Sequence, residues 1–258
     1  MSDHGSATAT RPSCEQFGFW ASPIAAAALI GTWIALVLLF NAAPGIDRAA
    51  SGLFFATIAC KEGSTAIACG VFGATREWGL PAIRQALQIL PASVAIVVAA
   101  MLARDLSAGL TWRNVQVRFE ATALAALIIG PGLLVNAGLK DHWGRPRPYM
   151  TELFGGRLPF VPAGKLTHYC HSNCSFVSGE ASSIFWLLCL VPLLPKHLRL
   201  HAAIGLSALA VFAGGLRVAF GAHYLSDVLL GGLSTLVVFS CLSVAVEWLA
   251  RRSRFKAI

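Results

Sequence analysis

Six long apolar runs limit what this chain can fold into. A helix needs about 20 predominantly apolar residues to cross the hydrocarbon core of a bilayer. Runs near that length lie at residues 22–43, 81–103, 119–139, 177–194, 200–216 and 225–248. The run at 200–216 is the weakest of them, because it is short and contains Gly214 and Gly215. The pattern predicts an all-α, polytopic membrane protein with six transmembrane helices in one domain, residues 1–258.

The composition agrees with a chain that lies mostly within a bilayer. Hydrophobic residues make up 56% of the sequence, 12% is charged and the mean hydropathy is +0.68. A soluble domain carries roughly twice that share of charged residues. The net charge is +8, but the basic residues cluster at the ends of the apolar runs and in loops. Orientation charge and a phosphate pocket explain that clustering, so no nucleic-acid partner is predicted. No obligate protein partner is indicated either.

The short loops between the runs predict how the chain is oriented. Two short loops carry cations close to the ends of runs: Arg104, Arg113, Arg118, Lys196 and Arg199. Because Lys and Arg collect in short cytoplasmic loops, both termini are predicted to be cytoplasmic, with residues 1–21 as a cytoplasmic tail. The expected location is a bacterial inner membrane.

Residues 44–80 follow the first run and therefore lie on the outer face in this topology. Charged residues such as Lys61, Glu62 and Arg76 interrupt the segment too often for it to span the bilayer. Apolar patches such as Leu53-Phe54-Phe55 suit one or two short helices that lie in the interface. The alternative is a loop with incidental hydrophobic residues.

Four of the seven cysteines map to the outer face, which is oxidising in a bacterium. They are Cys60, Cys69, Cys170 and Cys174. Four cysteines allow three pairings, of which the local pairs Cys60–Cys69 and Cys170–Cys174 are the simplest. A zinc site formed by Cys170, Cys174, His168 and His171 is possible by residue type. The spacing is not that of a common zinc knuckle, so no metal site is predicted.

Three short islands stand at the ends of apolar runs, all on the same predicted face. They cover residues 140–148, 178–180 and 217–227. They supply three cations, Lys140, Arg147 and Arg217, which suit the negative charge of a phosphate ester and of its transition state. This shared placement predicts one phosphate site, with residues 140–227 as its catalytic core.

The second island adds a helix N-terminus to these cations. Ser178 and Gly179 stand where the fourth run begins. A helix N-terminus offers free N–H groups and a favourable dipole to an anion, and glycine lets the backbone approach closely. Ser178 and Gly179 are therefore predicted to help bind the phosphate.

His223 is the best candidate nucleophile. A neutral imidazole can attack phosphorus if its other ring nitrogen donates a hydrogen bond. Asp227 lies four residues later, on the same helical face, and could accept that bond. An ordinary hydrogen bond at a helix end is the alternative for a His/Asp pair at this spacing. Arg217 and the other two islands favour the catalytic interpretation.

The motifs Lys-x6-Arg-Pro, Ser-Gly and Arg-x5-His-x3-Asp, at 140–148, 178–179 and 217–227, together resemble the type 2 phosphatidic acid phosphatase superfamily. The resemblance is to its membrane lipid phosphatase branch, which includes lipid A phosphatases. It implies metal-independent and cofactor-free hydrolysis through a phosphohistidine on His223, which Asp227 would orient. The phosphate would be held by the same residues as above: Lys140, Arg147, Ser178, Gly179 and Arg217.

The chain departs from the family pattern in two places. Leu216 stands where the family usually has serine, and Glu180 where it has histidine. That histidine is the family's usual general acid. Glu180 could replace it only if protonated; otherwise His142, His168 or His171 could act, or the leaving group could need little help.

Several functions fit these residues. The leading prediction is a lipid phosphatase at the outer leaflet that acts on lipid A, because the long outer segment 44–80 suits a bulky substrate. Hydrolysis of undecaprenyl pyrophosphate or phosphatidylglycerophosphate is the alternative. A lipid phosphotransferase, or a non-catalytic protein that binds lipid phosphate, would use the same residues.

Overall fold

The computed structural model describes residues 16–60 and 67–255, most of which are helical. The predicted tail therefore lies largely outside the described residues, as does Cys14. In chain order the elements are α1 (Pro23–Ala42), α2 (Gly45–Gly52), β1 (Phe55–Ile58), β2 (Cys69–Phe72), α3 (Leu80–Ser107), α4 (Val115–Leu127), a π-helical segment (Ile128–Leu139), α5 (Lys140–His142), α6 (Gly179–Cys189), α7 (Lys196–Ala219) and α8 (Leu225–Phe255).

Five helices in the described part of the chain are long and apolar enough to cross a membrane. They are α1, α3, the continuous helix Val115–His142 formed by α4, the π-helical segment and α5, then α7 and most of α8. The predicted membrane architecture is present in this coarse form. The sequence prediction that 200–216 is the weakest run is wrong, because α7 has 24 residues and extends beyond that run at both ends.

The shortest of the apolar helices is instead the one predicted at 177–194. It runs from Gly179 to Leu193, including a final 3-10 turn. At about 1.5 Å per residue it is shorter than the roughly 30 Å hydrocarbon core. It is short because Ser178 caps it at the start, where the side chain accepts a hydrogen bond from Ala181 N, and because Pro195 follows its end.

Helix α6 lies at the centre of the helical packing, against α3, α7 and α8. Its buried Trp186 joins a core cluster with Phe119 of α4 and Phe239 of α8. The Trp186 indole N–H donates to the carbonyl of Ala123 at 2.7 Å. At the other end of α6, a Cβ on Gly231 would lie 2.5 Å from the Ser178 carbonyl oxygen. Glycine there lets α8 approach the start of α6, which holds that helix end in place.

The described part of residues 44–80 contains one α-helix, α2, and a β-hairpin in place of a second α-helix. Strands β1 and β2 pair antiparallel, with Phe55 opposite Phe72. The all-α prediction is therefore wrong for this segment. Phe55 and Phe72 pack with Phe154 and the buried Tyr224. Tyr224 directly follows His223 in the chain, so this aromatic cluster attaches the hairpin close to His223.

Both local cysteine pairs are disulfides, one joining Cys60 to Cys69 and the other joining Cys170 to Cys174. Cys170 and Cys174 are therefore not available as zinc ligands. Within residues 16–60 and 67–255, no cluster of three or more His, Cys, Asp or Glu side chains could hold a metal ion.

Candidate active site

The three sequence islands meet at one pocket of about 360 Å³. Five of the predicted residues line it: Lys140, Arg147, Gly179, Glu180 and Arg217. The other lining residues come from α3, the π-helical segment, the loop before α6, and α6 itself: Arg84, Leu87, Gln88, Pro91, Asn136, Asn173 and Ser183. The pocket therefore combines several cations with one carboxylate and neutral polar groups.

Lys140 and Asn136 reach the pocket from the end of the helix that begins at Val115. Its π-helical part contains Pro131, and a wider helical turn of this kind is frequent at functional sites. The two side chains close around Gly179. A Cβ on that residue would collide with Asn136 Oδ1 and lie 3.1 Å from Lys140 Nζ. Only glycine permits this close approach.

Ser178 is positioned as the cap of α6 and does not line the pocket. Its backbone N–H donates to the carbonyl of Asp227 at 2.9 Å, and its side chain caps Ala181 N. The first N–H groups that have no partner within the helix therefore belong to Gly179 and Glu180. Gly179 and Glu180 both line the pocket, so the end of the helix dipole that favours an anion lies at the pocket.

Glu180 forms ion pairs with two arginines. Its carboxylate accepts hydrogen bonds from Arg84 Nε at 3.1 Å and from Arg84 Nη2 at 2.5 Å. Arg217 Nη1 lies 3.3 Å from the same carboxylate. Sequence reasoning missed Arg84. The available signal was a charged residue inside the apolar run 81–103, where a charge is costly and usually functional.

Arg147 is held in place by Asn173. Its Nε donates to the Asn173 carbonyl at 2.9 Å and its Nη2 to Asn173 Oδ1 at 2.6 Å. Burial lowers the pKa of Arg147 from its ordinary value. Two hydrogen bonds to Asn173 thus fix the Arg147 guanidinium at the pocket wall. Sequence reasoning also missed Asn173.

His223 is buried, and its ring has a defined tautomer. Nδ1 lies 2.8 Å from the carbonyl oxygen of Ser175, which can only accept, so Nδ1 carries the proton and Nε2 is free. Burial lowers the pKa of His223 well below its usual value, and the cations Arg217, Arg147 and Lys140 lower it further. The imidazole is therefore neutral near neutral pH, as a nucleophile requires.

The expected direct bond between Asp227 and His223 is absent, because Asp227 Oδ2 lies 4.0 Å from Nδ1. The acceptor is the Ser175 carbonyl instead. Asp227 supports that residue by accepting a hydrogen bond from Ser175 Oγ at 2.5 Å, and it also pairs with Arg145 Nη1 at 2.6 Å.

Arg145 links the site to α2 through a buried charge network. Its Nη2 pairs with Asp47 of α2 at 2.8 Å, and Asp47 also accepts bonds from the backbone and side chain of Ser226. The side chains of Asp47, Arg145 and Asp227 are fully buried. Asp47 was missed by the sequence interpretation, because nothing in 44–80 marks it as different from a surface acid.

The three histidines considered as alternative acids do not line the pocket. His142, His168 and His171 are exposed, and His142 Nδ1 bonds the carbonyl of Gly138 in its own helix.

Comparison with known proteins places this geometry in a wider context. A model of the PAP2 superfamily matches residues 120–252. A lipid A 4'-phosphatase of Rhizobium etli is 46% identical over 221 residues, which are 85% of this chain and 86% of that protein. A lipid A 4'-phosphatase of Rhizobium leguminosarum is 46% identical over 223 residues, 85% of this chain and 95% of that protein.

A relative that matches over a shorter stretch and one solved structure extend the comparison. A lipid A 4'-phosphatase of Francisella tularensis subsp. novicida is 46% identical over 121 residues, 44% of this chain and 54% of that protein. The crystal structure of a transmembrane PAP2 type phosphatidylglycerolphosphate phosphatase from Bacillus subtilis superposes with a TM-score of 0.52 at 21% identity. It covers 86% of this chain and 95% of that one. At this identity the likeness concerns the fold alone.

Proposed function

We propose that this chain, which belongs to the PAP2 superfamily and is a membrane lipid phosphatase, acts on lipid A and hydrolyses a phosphate monoester of that lipid, releasing inorganic phosphate. The observation that carries the proposal is the pocket in which Lys140, Arg147 and Arg217 meet the N-terminus of α6. The two Rhizobium relatives, similar over most of their length, support lipid A as the substrate.

Phosphate binding in this proposal uses charge and backbone together. Lys140, Arg147 and Arg217 supply cations, and the first N–H groups of α6, on Gly179 and Glu180, add preorganised donors. Such groups stabilise the charge that develops on the equatorial oxygens during phosphoryl transfer. Ser178 contributes indirectly, by capping and fixing that helix end.

His223 acts as the nucleophile. Its unprotonated Nε2 attacks phosphorus, the P–N bond forms, and the bond between phosphorus and the leaving oxygen breaks. The leaving oxygen takes up a proton from solvent water. Water then attacks the phosphohistidine, cleaves the P–N bond and releases inorganic phosphate. The Ser175 carbonyl holds the Nδ1 proton throughout, and Asp227 keeps Ser175 in place.

Glu180 positions two guanidinium groups instead of donating a proton. Its carboxylate already bonds Arg84 and lies within ion-pair distance of Arg217. Arg84 is then the group that stabilises negative charge on the leaving oxygen, at the place where the family's histidine usually acts. This role replaces the general-acid hypothesis made from the sequence.

The topology proposed from the sequence is retained: one membrane domain, six crossings, cytoplasmic termini and a periplasmic active site. In this proposal the sixth crossing is made at the helix Gly179–Leu193, which is shorter than the hydrocarbon core and whose first residues line the pocket. Two disulfides on the same side as the pocket support an oxidising compartment. The interfacial position of α2 belongs to this proposal as well.

The test is phosphate release by the purified protein in detergent with EDTA present. Lipid A, phosphatidic acid, phosphatidylglycerophosphate and undecaprenyl pyrophosphate are offered in separate reactions, and products are identified by mass spectrometry. We expect lipid A to lose one phosphate at the highest rate. Release from another lipid with lipid A untouched overturns the substrate assignment, and transfer of phosphate to a second lipid overturns hydrolysis.

A further inference from the structure

The loop at residues 170–175 contacts the site from several directions at once. Its backbone is bonded to the first island, where Cys174 N donates to the Lys140 carbonyl at 3.2 Å and Ser175 N to the Arg145 carbonyl at 2.8 Å. Ser175 also accepts the His223 Nδ1–H bond. The loop therefore joins the first island to the proposed nucleophile.

Asn173 is the residue of this loop that acts on a phosphate-binding cation. It bonds Arg147 with both its carbonyl and its side-chain oxygen, and it lines the pocket. Its φ is +48°, the only positive φ of a non-glycine residue in the described ranges. Asn tolerates this region better than most residues, yet the conformation needs support from its surroundings.

The Cys170–Cys174 disulfide supplies that support, because it closes the loop on both sides of Asn173. A covalent link between residues four apart restricts the conformations open to those between them. Cys174 is fully buried and Cys170 nearly so, so the link lies inside the protein, next to the pocket-lining Asn173.

We propose that the disulfide and Asn173 together form a positioning device that holds Arg147 in the orientation that binds the phosphate group. With the disulfide closed, the carbonyl and side chain of Asn173 fix the guanidinium. Without it, Asn173 leaves its left-handed conformation and Arg147 loses both bonds. This proposal rests on the proposed function and adds to it how Arg147 is held for phosphate binding.

The first test measures binding of inorganic phosphate, from the concentration-dependent rise in the thermal unfolding midpoint. Cys170→Ser/Cys174→Ser is compared with Cys60→Ser/Cys69→Ser, a control in which the other disulfide is lost while the β1–β2 backbone pairing remains. We expect the first pair to weaken phosphate binding about 10-fold or more, since misplacing a binding group by about 1 Å can cost up to 10²-fold. The control should change it less than about two-fold. Equal effects from the two pairs contradict the proposal.

The second test keeps the disulfide and removes only the side-chain acceptor. Asn173→Gly retains a residue that adopts positive φ without strain, so its effect reports the lost bond to Arg147. We expect weaker phosphate binding in the wild-type background and no further loss in an Arg147→Ala background. If Asn173→Gly weakens phosphate binding by the same factor in the Arg147→Ala background as in the wild type, Asn173 acts elsewhere and the proposal is overturned. If the cysteine variants do not fold, this variant still tests whether Asn173 positions Arg147, and unchanged phosphate binding overturns the proposal.

Failure of this inference can be told apart from failure of the proposed function. Phosphate binding is read without turnover, so it is measured whether or not lipid A is a substrate. Unchanged phosphate affinity in Asn173→Gly overturns the positioning role even if lipid A is hydrolysed. Weakened affinity supports the role even if another phospholipid proves to be the substrate.

Discussion

The Asp227 carboxylate bonds three groups at once: Arg145, Ser175 Oγ and the backbone N–H of Tyr224. It therefore orients His223 through Ser175 and also balances a fully buried guanidinium. The sequence spacing of four residues correctly placed Asp227 near His223. It did not show which group fills the space between them, because Ser175 comes from a distant loop.

We expect Asp227→Asn to reduce stability as well as activity. The amide is neutral and leaves part of the Arg145 charge unbalanced, and breaking a buried ion pair costs on the order of 3 kcal/mol. Asp105→Asn is the matched control, because its partner Arg104 is largely exposed and exposed ion pairs contribute little to stability. Thermal unfolding in detergent measures both variants. An Asp227→Asn variant that is as stable as the Asp105→Asn variant would contradict the role of Asp227 in the buried charge network.

We expect Glu180→Gln to slow hydrolysis of lipid A and of an activated aryl phosphate by similar factors. A positioning carboxylate affects both substrates alike, whereas a general acid matters about 10²–10⁴-fold for a poor leaving group only. The ratio of the two rate losses is the measurement. A much larger loss with lipid A would restore Glu180 to the acid role.

At the scale of elements, the helices were predictable because each long span leaves a continuous apolar run. The hairpin β1–β2 was not, because its strands have four residues each and are held by packing on Phe154 and by a disulfide. The shortness of α6 was also hidden, because the apolar run 177–194 includes residues before its cap and after its end. Asn173 and Arg84 were missed because their contacts, with Arg147 and Glu180, join parts of the chain that are distant in sequence.

The start of α6 can be tested through its glycine. Gly179→Ala should weaken inorganic phosphate binding by about 10-fold, because a Cβ there displaces Asn136 and Lys140 and small shifts of binding groups are costly. Gly215→Ala is the control, since a Cβ on that residue meets nothing within 4 Å. Both variants should remain folded, because alanine is a better helix former than glycine. Equal phosphate affinities in the two variants would contradict this close approach.

At the scale of the whole molecule, three islands predicted to share one face do line or adjoin one pocket. The orientation of that face is a prediction from short-loop charges. A membrane-impermeant thiol label, added to spheroplasts after mild reduction, should reach the exposed Cys60 and leave Cys14 unmodified, as read by peptide mass spectrometry. Labelling of Cys14 alone would invert the topology.

The most direct test of the mechanism is phosphate release from lipid A by His223→Ala, in EDTA, beside the wild-type protein. A nucleophile that forms a covalent intermediate has no substitute among its neighbours, and losing a catalytic unit of this kind typically costs more than about 10³-fold. We expect the wild type to release phosphate and the variant to fall by at least that factor, with an unchanged thermal unfolding midpoint. A folded variant that keeps more than about a hundredth of the wild-type rate would contradict His223 as the nucleophile.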